Sequence, residues 1–178
     1  MSTPQTDYRF SFGPWNISEG ADPFGPPVRT AFPHEEKFAL YKPLGFDGVQ
    51  FHDDDVVPDL DNLQPAQIAT QASKVAAMLS NQGLTAEFVA PRLWFAEKTI
   101  DGGFTSNSAA DRQYAWDRTR ICVDIARTMG AKSIVFWLAR EGTYIREAKT
   151  ARKAYQQLLQ VVNDTLAYDP QIEVWIEP

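Results

Sequence analysis

The chain is poor in the residues that most often signal a function. It has one cysteine, Cys122, and only two histidines in 178 residues. A lone cysteine cannot make an internal disulfide, and no Cys-x-x-Cys pair exists to bind metal or cycle redox state. There is no glycine-rich phosphate loop and no nucleophilic serine set between glycines. An excess of positive charge is also missing. With 17 Lys and Arg against 23 Asp and Glu, the net charge is −6, and the isoelectric point is about 4.9. The basic footprint of a nucleic-acid binder is therefore absent. No apolar run approaches the roughly 18 to 20 residues of a membrane span. The opening segment MSTPQTDYRF lacks the basic-then-apolar order of a secretory signal. Together these absences predict a cytoplasmic protein that engages neither nucleic acid nor membrane.

What the chain does contain is apolar and aromatic mass. Hydrophobic residues make up 44% and aromatic residues 12%, including 11 Phe and 5 Trp. That is enough for one domain with a sizeable core, and it excludes a disordered chain.

Strand and helix patterns alternate along the sequence. Tyr8 to Gly13 alternates polar and aromatic residues as a strand does, and a loop rich in Gly and Pro follows from Ser18 to Pro27. His34 to Leu44 reads as a short helix, frayed by Pro43 and stopped near Gly45. Asp47 to Phe51 is the second strand. Gln64 to Gln82 carries Ile68, Ala72, Val75, Ala76 and Leu79 on one helical stripe. Leu84 to Ala90 is the third strand, and residues 91–107 form a long irregular segment. Ser108 is an N-cap for a helix over Ala109 to Met129, with Gly130 after it. Lys132 to Trp137, a helix over Tyr144 to Leu166, and Gln171 to Ile176 complete a β-α-β-α-β-α-β-α-β order.

This alternation predicts an α/β fold with a parallel sheet built from right-handed βα units. A flavodoxin-like open sheet fits the length, and so does half of an eight-stranded barrel; periodicity does not choose between them. In either case Trp15, His52 with its aspartates, Arg92 with Trp94, Trp137 and Glu177 fall at or just past strand C-termini. That rim is where ligands bind in both folds.

Phe51-His52-Asp53-Asp54-Asp55 is the sharpest local feature. A histidine at a strand end with a carboxylate three residues on can hold Asp55 against one ring nitrogen and leave the other for proton transfer. The competing reading makes residues 53–55 a solvated loop or helix cap that His52 lines. These residues could also contact a divalent cation, although one short cluster rarely completes a site. Trp15, Trp94 and Trp137 either pack a rim or jointly wall a water-poor pocket. Glu177 ends an apolar strand, where a carboxylate is costly unless exposed, paired or metal-bound. Arg140-Glu141-Gly142 reads as a capping turn, Cys122 as a packing residue, and His34 as a surface residue.

Several segments in order match one family. They are Phe12-Gly13-x-Trp15, Asp22-Pro23-Phe24-Gly25, Gly48-Val49-Gln50-Phe51-His52-Asp53-Asp54-Asp55, Asp101-Gly102-Gly103-Phe104-Thr105, Val135-Phe136-Trp137, Arg140-Glu141-Gly142 and Ile176-Glu177-Pro178. The chain resembles the N-terminal half of xylose isomerases, metal-dependent aldose–ketose isomerases built on a (β/α)8 TIM barrel. A whole barrel needs about 250 residues. The resemblance therefore implies that residues 1–178 supply the first four βα units and strand five, with the rest of the barrel absent.

The resemblance also implies roles, beginning with interconversion of D-xylose and D-xylulose. His52 opens the sugar ring and Asp55 orients and charge-balances it. Trp15, Trp94 and Trp137 line the sugar pocket, with Trp94 standing where the family usually has Phe. Phe24 reaches a neighbouring subunit of a homo-oligomer, commonly a tetramer. Glu177 is a ligand of one of two divalent cations, Mg or else Mn or Co, which promote a hydride shift in a dry site. Two departures stand out. Ala90-Pro91-Arg92-Leu93-Trp94 replaces the usual small polar residues and adds a charge with reach toward the substrate. The family's catalytic lysine and remaining metal ligands would lie beyond Glu177, so the chain alone is expected to be inactive. The rival readings are an endonuclease-IV-like phosphodiesterase, disfavoured by acidity and scarce histidine, and a non-catalytic half-barrel that self-associates through its open edges.

Overall fold

The computed structural model describes residues 8–17, 20, 28–30, 32–142, 145 and 147–178. Five strands, β1 (Ser11–Phe12), β2 (Gly48–His52), β3 (Thr85–Ala90), β4 (Ser133–Trp137) and β5 (Glu173–Glu177), form one parallel sheet in the order β1-β2-β3-β4-β5. A sheet that adds each strand beside the last never reverses direction, so it has no switch point of the flavodoxin kind. It is the winding of a barrel wall, and it resolves the choice that periodicity left open.

Helices α1 (His34–Tyr41), α2 (Asp53–Val56), α3 (Pro65–Asn81), α4 (Ala109–Met129) and α5 (Ala151–Tyr168) occupy the crossovers. The N-termini of α3 and α4 are set by local chemistry. Pro65 begins α3, with Gln64 and Gln67 capping each other reciprocally. The Ser108 hydroxyl accepts the Asp111 amide at 3.3 Å, and Gly130 closes α4 at φ 73. Alternate strand residues Val49, Phe51, Val89, Ile134 and Phe136 join Ala72, Leu79, Cys122 and Ile125 in one buried cluster. Burying a side chain the size of Phe51 stabilises by about 1.5 to 3 kcal/mol, so this layer fixes the register of the strands. Cys122 is a packing residue, and burial raises its thiol well above the ordinary range.

The other strand faces carry His52, Ala90 and Trp137. On β5, Trp175 and Ile176 point to opposite faces and both are exposed. Among the described residues no helix is long and apolar enough to cross a membrane.

The fifth helix differs from expectation. It begins at Ala151 rather than Tyr144, a residue outside those described. Residues 147–150 before it are not helical. The Lys149 ammonium pairs with the Asp101 carboxylate at 3.0 Å, and the Thr150 hydroxyl caps the helix by accepting the Lys153 amide.

Candidate active site

The C-terminal rim of the sheet gathers the aromatic residues into a row. The Trp15 and His52 ring centroids lie 4.3 Å apart, His52 and Trp94 5.1 Å, and Trp94 and Trp137 4.4 Å. Each arrives by a different route. His52 and Trp137 end β2 and β4, whereas Trp94 follows β3 by four residues. Trp15 sits in a single 3-10 turn after β1. Its indole folds back over Gly13, where a Cβ would lie 2.3 Å from the ring, so the glycine is required by close approach. Lys37 donates to the Pro14 carbonyl at 2.9 Å and ties α1 to that turn.

Strand alternation puts Glu177 on the same face as His52 and Trp137. It pairs in register with Trp137, its carbonyl accepts the Leu138 amide, and its side chain is exposed. Phe24 lies outside the described residues, as does the rest of the Asp22–Gly25 motif.

Residues 53–55 are not a solvated loop: they form the first turn of α2, Asp53 is fully buried, and Asp55 closes a capping box with His52 as the N-cap. The Asp55 carboxylate accepts the His52 backbone amide at 2.9 Å and lies 2.9 Å from Nδ1 of the same residue. Burial alone would raise the Asp55 carboxyl. The backbone amide of His52 and the charge of Arg92 instead hold it below the ordinary carboxylate range. The Nε2 atom of His52 has no hydrogen-bond partner among the described residues.

Arg92 does not reach freely into the pocket. Its Nε donates to Asp54 at 2.7 Å, its Nη2 donates to Asp55 at 2.9 Å, and the same Nη2 lies 2.8 Å from His52 Nδ1. Its guanidinium carbon stands 5.8 Å from the Trp94 ring centroid. The added charge that sequence reading assigned to substrate reach is folded into the His52 support.

Arg118, on α4, went unrecognised in the sequence. It forks onto Asp53, Nε to Oδ2 at 2.7 Å and Nη2 to Oδ1 at 2.8 Å. Asp53 Oδ1 also accepts the amides of Asp54 and Arg92, so one buried carboxylate joins the start of α2 to the loop after β3. Burial pushes the Asp53 carboxyl up and the Arg118 fork opposes it. Burial likewise works against the Arg118 charge, but Asp53 outweighs it and the guanidinium stays firmly protonated. The signal was present: Arg118 lies three residues after Ala115 and four before Cys122, within a buried stripe where an arginine needs a partner.

Glu141 is not a capping turn. Its carboxylate accepts the amides of Gly103, Phe104 and Thr105 at 2.9, 3.0 and 2.8 Å, and the Thr105 hydroxyl at 2.5 Å. Two motifs noted separately in the sequence thus form one clamp between the loops after β3 and β4. Gly102 permits it at φ +91, where a Cβ would stand 2.6 Å from the Thr105 hydroxyl. His34 is half-buried rather than a surface residue. Its ring stacks on Phe38 at 5.3 Å and meets Phe51 edge-on at 6.3 Å.

Among the described residues no group of three or more His, Cys, Asp or Glu side chains is placed to hold a metal ion. Glu177 offers one carboxylate, and the aspartates beside His52 are already committed to arginines. The donor set among the described residues does not by itself fit a pair of cations.

Known proteins resemble this chain in sequence and in fold. A xylose isomerase of Thermus caldophilus is 31% identical over 169 residues, 94% of this chain and 43% of that protein. The present chain therefore spans less than half the length of that relative. The structure of 3-keto-D-glucoside 4-epimerase from E. coli superposes with a TM-score of 0.58 at 17% identity, covering 83% of this chain and 52% of the other. A family 2 AP endonuclease from Brucella melitensis gives 0.57 at 19% identity, covering 96% and 55%. At such identities the two structures show a shared fold. The xylose isomerase-like TIM barrel family matches residues 38–178, and with a sheet wound in barrel order and its aromatic rim at the strand C-termini, the chain belongs to that family.

Proposed function

We propose that this chain carries the ring-opening part of an aldose–ketose isomerase acting on D-xylose and D-xylulose. The observation that supports it best is the placement of His52 between Trp15 and Trp94, with Nδ1 engaged from behind and Nε2 without a hydrogen-bond partner among the described residues. A pyranose face stacks on indole, and a hydrogen-bonding group between two indoles meets the ring oxygen or anomeric hydroxyl of such a sugar. In ring opening the ring oxygen gains a proton, the C1–O5 bond breaks, and the anomeric hydroxyl loses its proton to water. His52 assists the proton movement, and Asp55 holds the imidazole in place.

Isomerisation beyond ring opening needs the two divalent cations that the family implies. Glu177 is proposed as one carboxylate ligand, and the 178-residue chain alone is proposed to be inactive in forming xylulose. Conversion of xylose to xylulose by the purified chain with Mg²⁺ would overturn that part. Ring opening is tested without cations by polarimetry of freshly dissolved α-D-xylose. The parent chain should speed anomer exchange, and His52→Asn should return it to the buffer rate. Equal rates for the two proteins would remove the support for this reading.

A second reading, self-association of a half-barrel, is favoured by Trp175 and Ile176, which are 43% and 56% exposed on the β5 edge. Sedimentation should then show assembly that Ile176→Lys weakens, whereas a cooperative monomer contradicts it. Assembly as a homo-tetramer, with Phe24 reaching a neighbour, belongs with the isomerase proposal.

A further inference from the structure

The Nδ1 atom of His52 is claimed twice. Asp55 Oδ2 lies 2.9 Å away and Arg92 Nη2 lies 2.8 Å away. A neutral imidazole nitrogen is either a donor or an acceptor, so only one of these contacts is a hydrogen bond at a time. Arginine does not deprotonate, so Arg92 always presents hydrogens.

Counting partners separates the two states. The Arg92 Nε proton is taken by Asp54 Oδ1, and one Nη2 proton is taken by Asp55 Oδ1. The other Nη2 proton has His52 Nδ1 as its acceptor. With the ring proton on Nδ1, that Nη2 hydrogen would face another N–H and lose its partner, and a partly buried donor left unmade is costly. Asp55 has less need of the ring. Its Oδ2 already accepts the His52 amide and its Oδ1 already accepts Arg92. The lone-pair contact that remains between Nδ1 and Oδ2 is relieved by the Arg92 charge beside both.

We propose that Arg92 is a positioning residue that sets the tautomer of His52, keeping the ring proton on Nε2. A histidine tied only to an aspartate through Nδ1–H shows a bare Nε2, which acts as a base. With Arg92 on Nδ1, His52 instead shows an Nε2–H donor. If the sugar reading above holds, on which this consequence rests, His52 meets the ring oxygen as a hydrogen-bond donor and does not meet the anomeric hydroxyl as a base. The tautomer itself does not depend on that reading.

The test uses the uniformly ¹⁵N-labelled 178-residue chain and two-bond ¹H–¹⁵N correlation of the imidazoles. The spectra are recorded at alkaline pH, and the pattern of a ring that carries one proton reports its tautomer. Only two histidines are present, so a His34→Asn sample identifies the His52 signals. The expected pattern is Nε2–H for His52 in the parent. An Nδ1–H pattern there overturns the proposal with no variant needed. Arg92→Met should move the proton to Nδ1, onto Asp55. An unchanged Nε2–H pattern in a folded Arg92→Met sample, judged by its circular dichroism, also overturns it. If Arg92→Met does not fold, the parent spectrum decides. A parent with Nε2–H that fails to speed sugar anomer exchange keeps this proposal and loses the sugar reading, so the two failures are distinct.

Discussion

Arg118 grips both oxygens of Asp53, at 2.7 and 2.8 Å, where the carboxylate has 0% exposure and the arginine 7%. A buried pair of this kind adds little net stability over apolar packing, but removing one member strands a charge. Arg118→Met should therefore cost about 3 to 5 kcal/mol, measured by urea unfolding. Adding Asp53→Asn to that variant should recover part of the loss, because the stranded charge is gone. If Arg118→Met cost less than the double variant, the coupling described here would be wrong.

The Glu141 clamp makes a separate, local prediction. Glu141→Gln keeps the side-chain length but replaces one acceptor oxygen with a donor that faces backbone N–H groups. Amide exchange at Gly103, Phe104 and Thr105 should become about tenfold faster, which corresponds to about 1.4 kcal/mol, while α3 amides stay unchanged. Gly102→Ala should destabilise by about 1 to 3 kcal/mol, from its positive φ and the contact with the Thr105 hydroxyl. Uniform acceleration across the chain would show that the clamp acts on global stability instead.

These contrasts explain what could be read from the sequence. Strand and helix alternation follows from local periodicity, and the helix over Ala109 to Met129 is found with its bounds unchanged because Ser108 and Gly130 mark both ends. The His52–Asp55 contact was legible because both partners lie within one turn. The Arg118–Asp53 fork, the Glu141 clamp and the Arg92 ties join residues about 36 to 65 positions apart, and no local pattern encodes which polar groups meet across a sheet edge. Helix five was drawn too early because periodicity cannot show that Lys149 is spent on Asp101. The Thr150 hydroxyl, which accepts the Lys153 amide, marks the observed start.

His34 predicts a pH effect near neutrality. Burial first, then the Lys37 charge, lowers its pKa, and Asp55 acts in the other direction. The unfolded chain therefore binds more protons than the folded one between the folded value and about 6.5. Stability rises with pH across that window, is complete above it, and is lost as pH falls. His34→Phe removes the group and suits its aromatic neighbours Phe38 and Phe51. Thermal unfolding at several pH values from 5 to 7.5 should show a shallower pH dependence in the variant. Parallel curves would mean that His34 is not linked to folding.

Asp55 governs a lower range with the same sign. Its folded pKa lies below the ordinary value, so its contribution is present above about pH 3.9 and fades as pH falls through the folded value. Asp101 and Asp169 are lowered as well, so acid unfolding of the parent alone cannot isolate it. Asp53 is shifted upward and works against the trend. The difference between the parent and Asp55→Asn is the informative quantity. The variant should be less stable at pH 6, and the gap should shrink steadily between pH 4 and 2. Anomer exchange should slow in the same variant at pH 6, since His52 would lose the carboxylate that receives its backbone amide and anchors Arg92. A gap that stayed constant down to pH 2 would separate Asp55 from the acid transition and leave only its role beside His52.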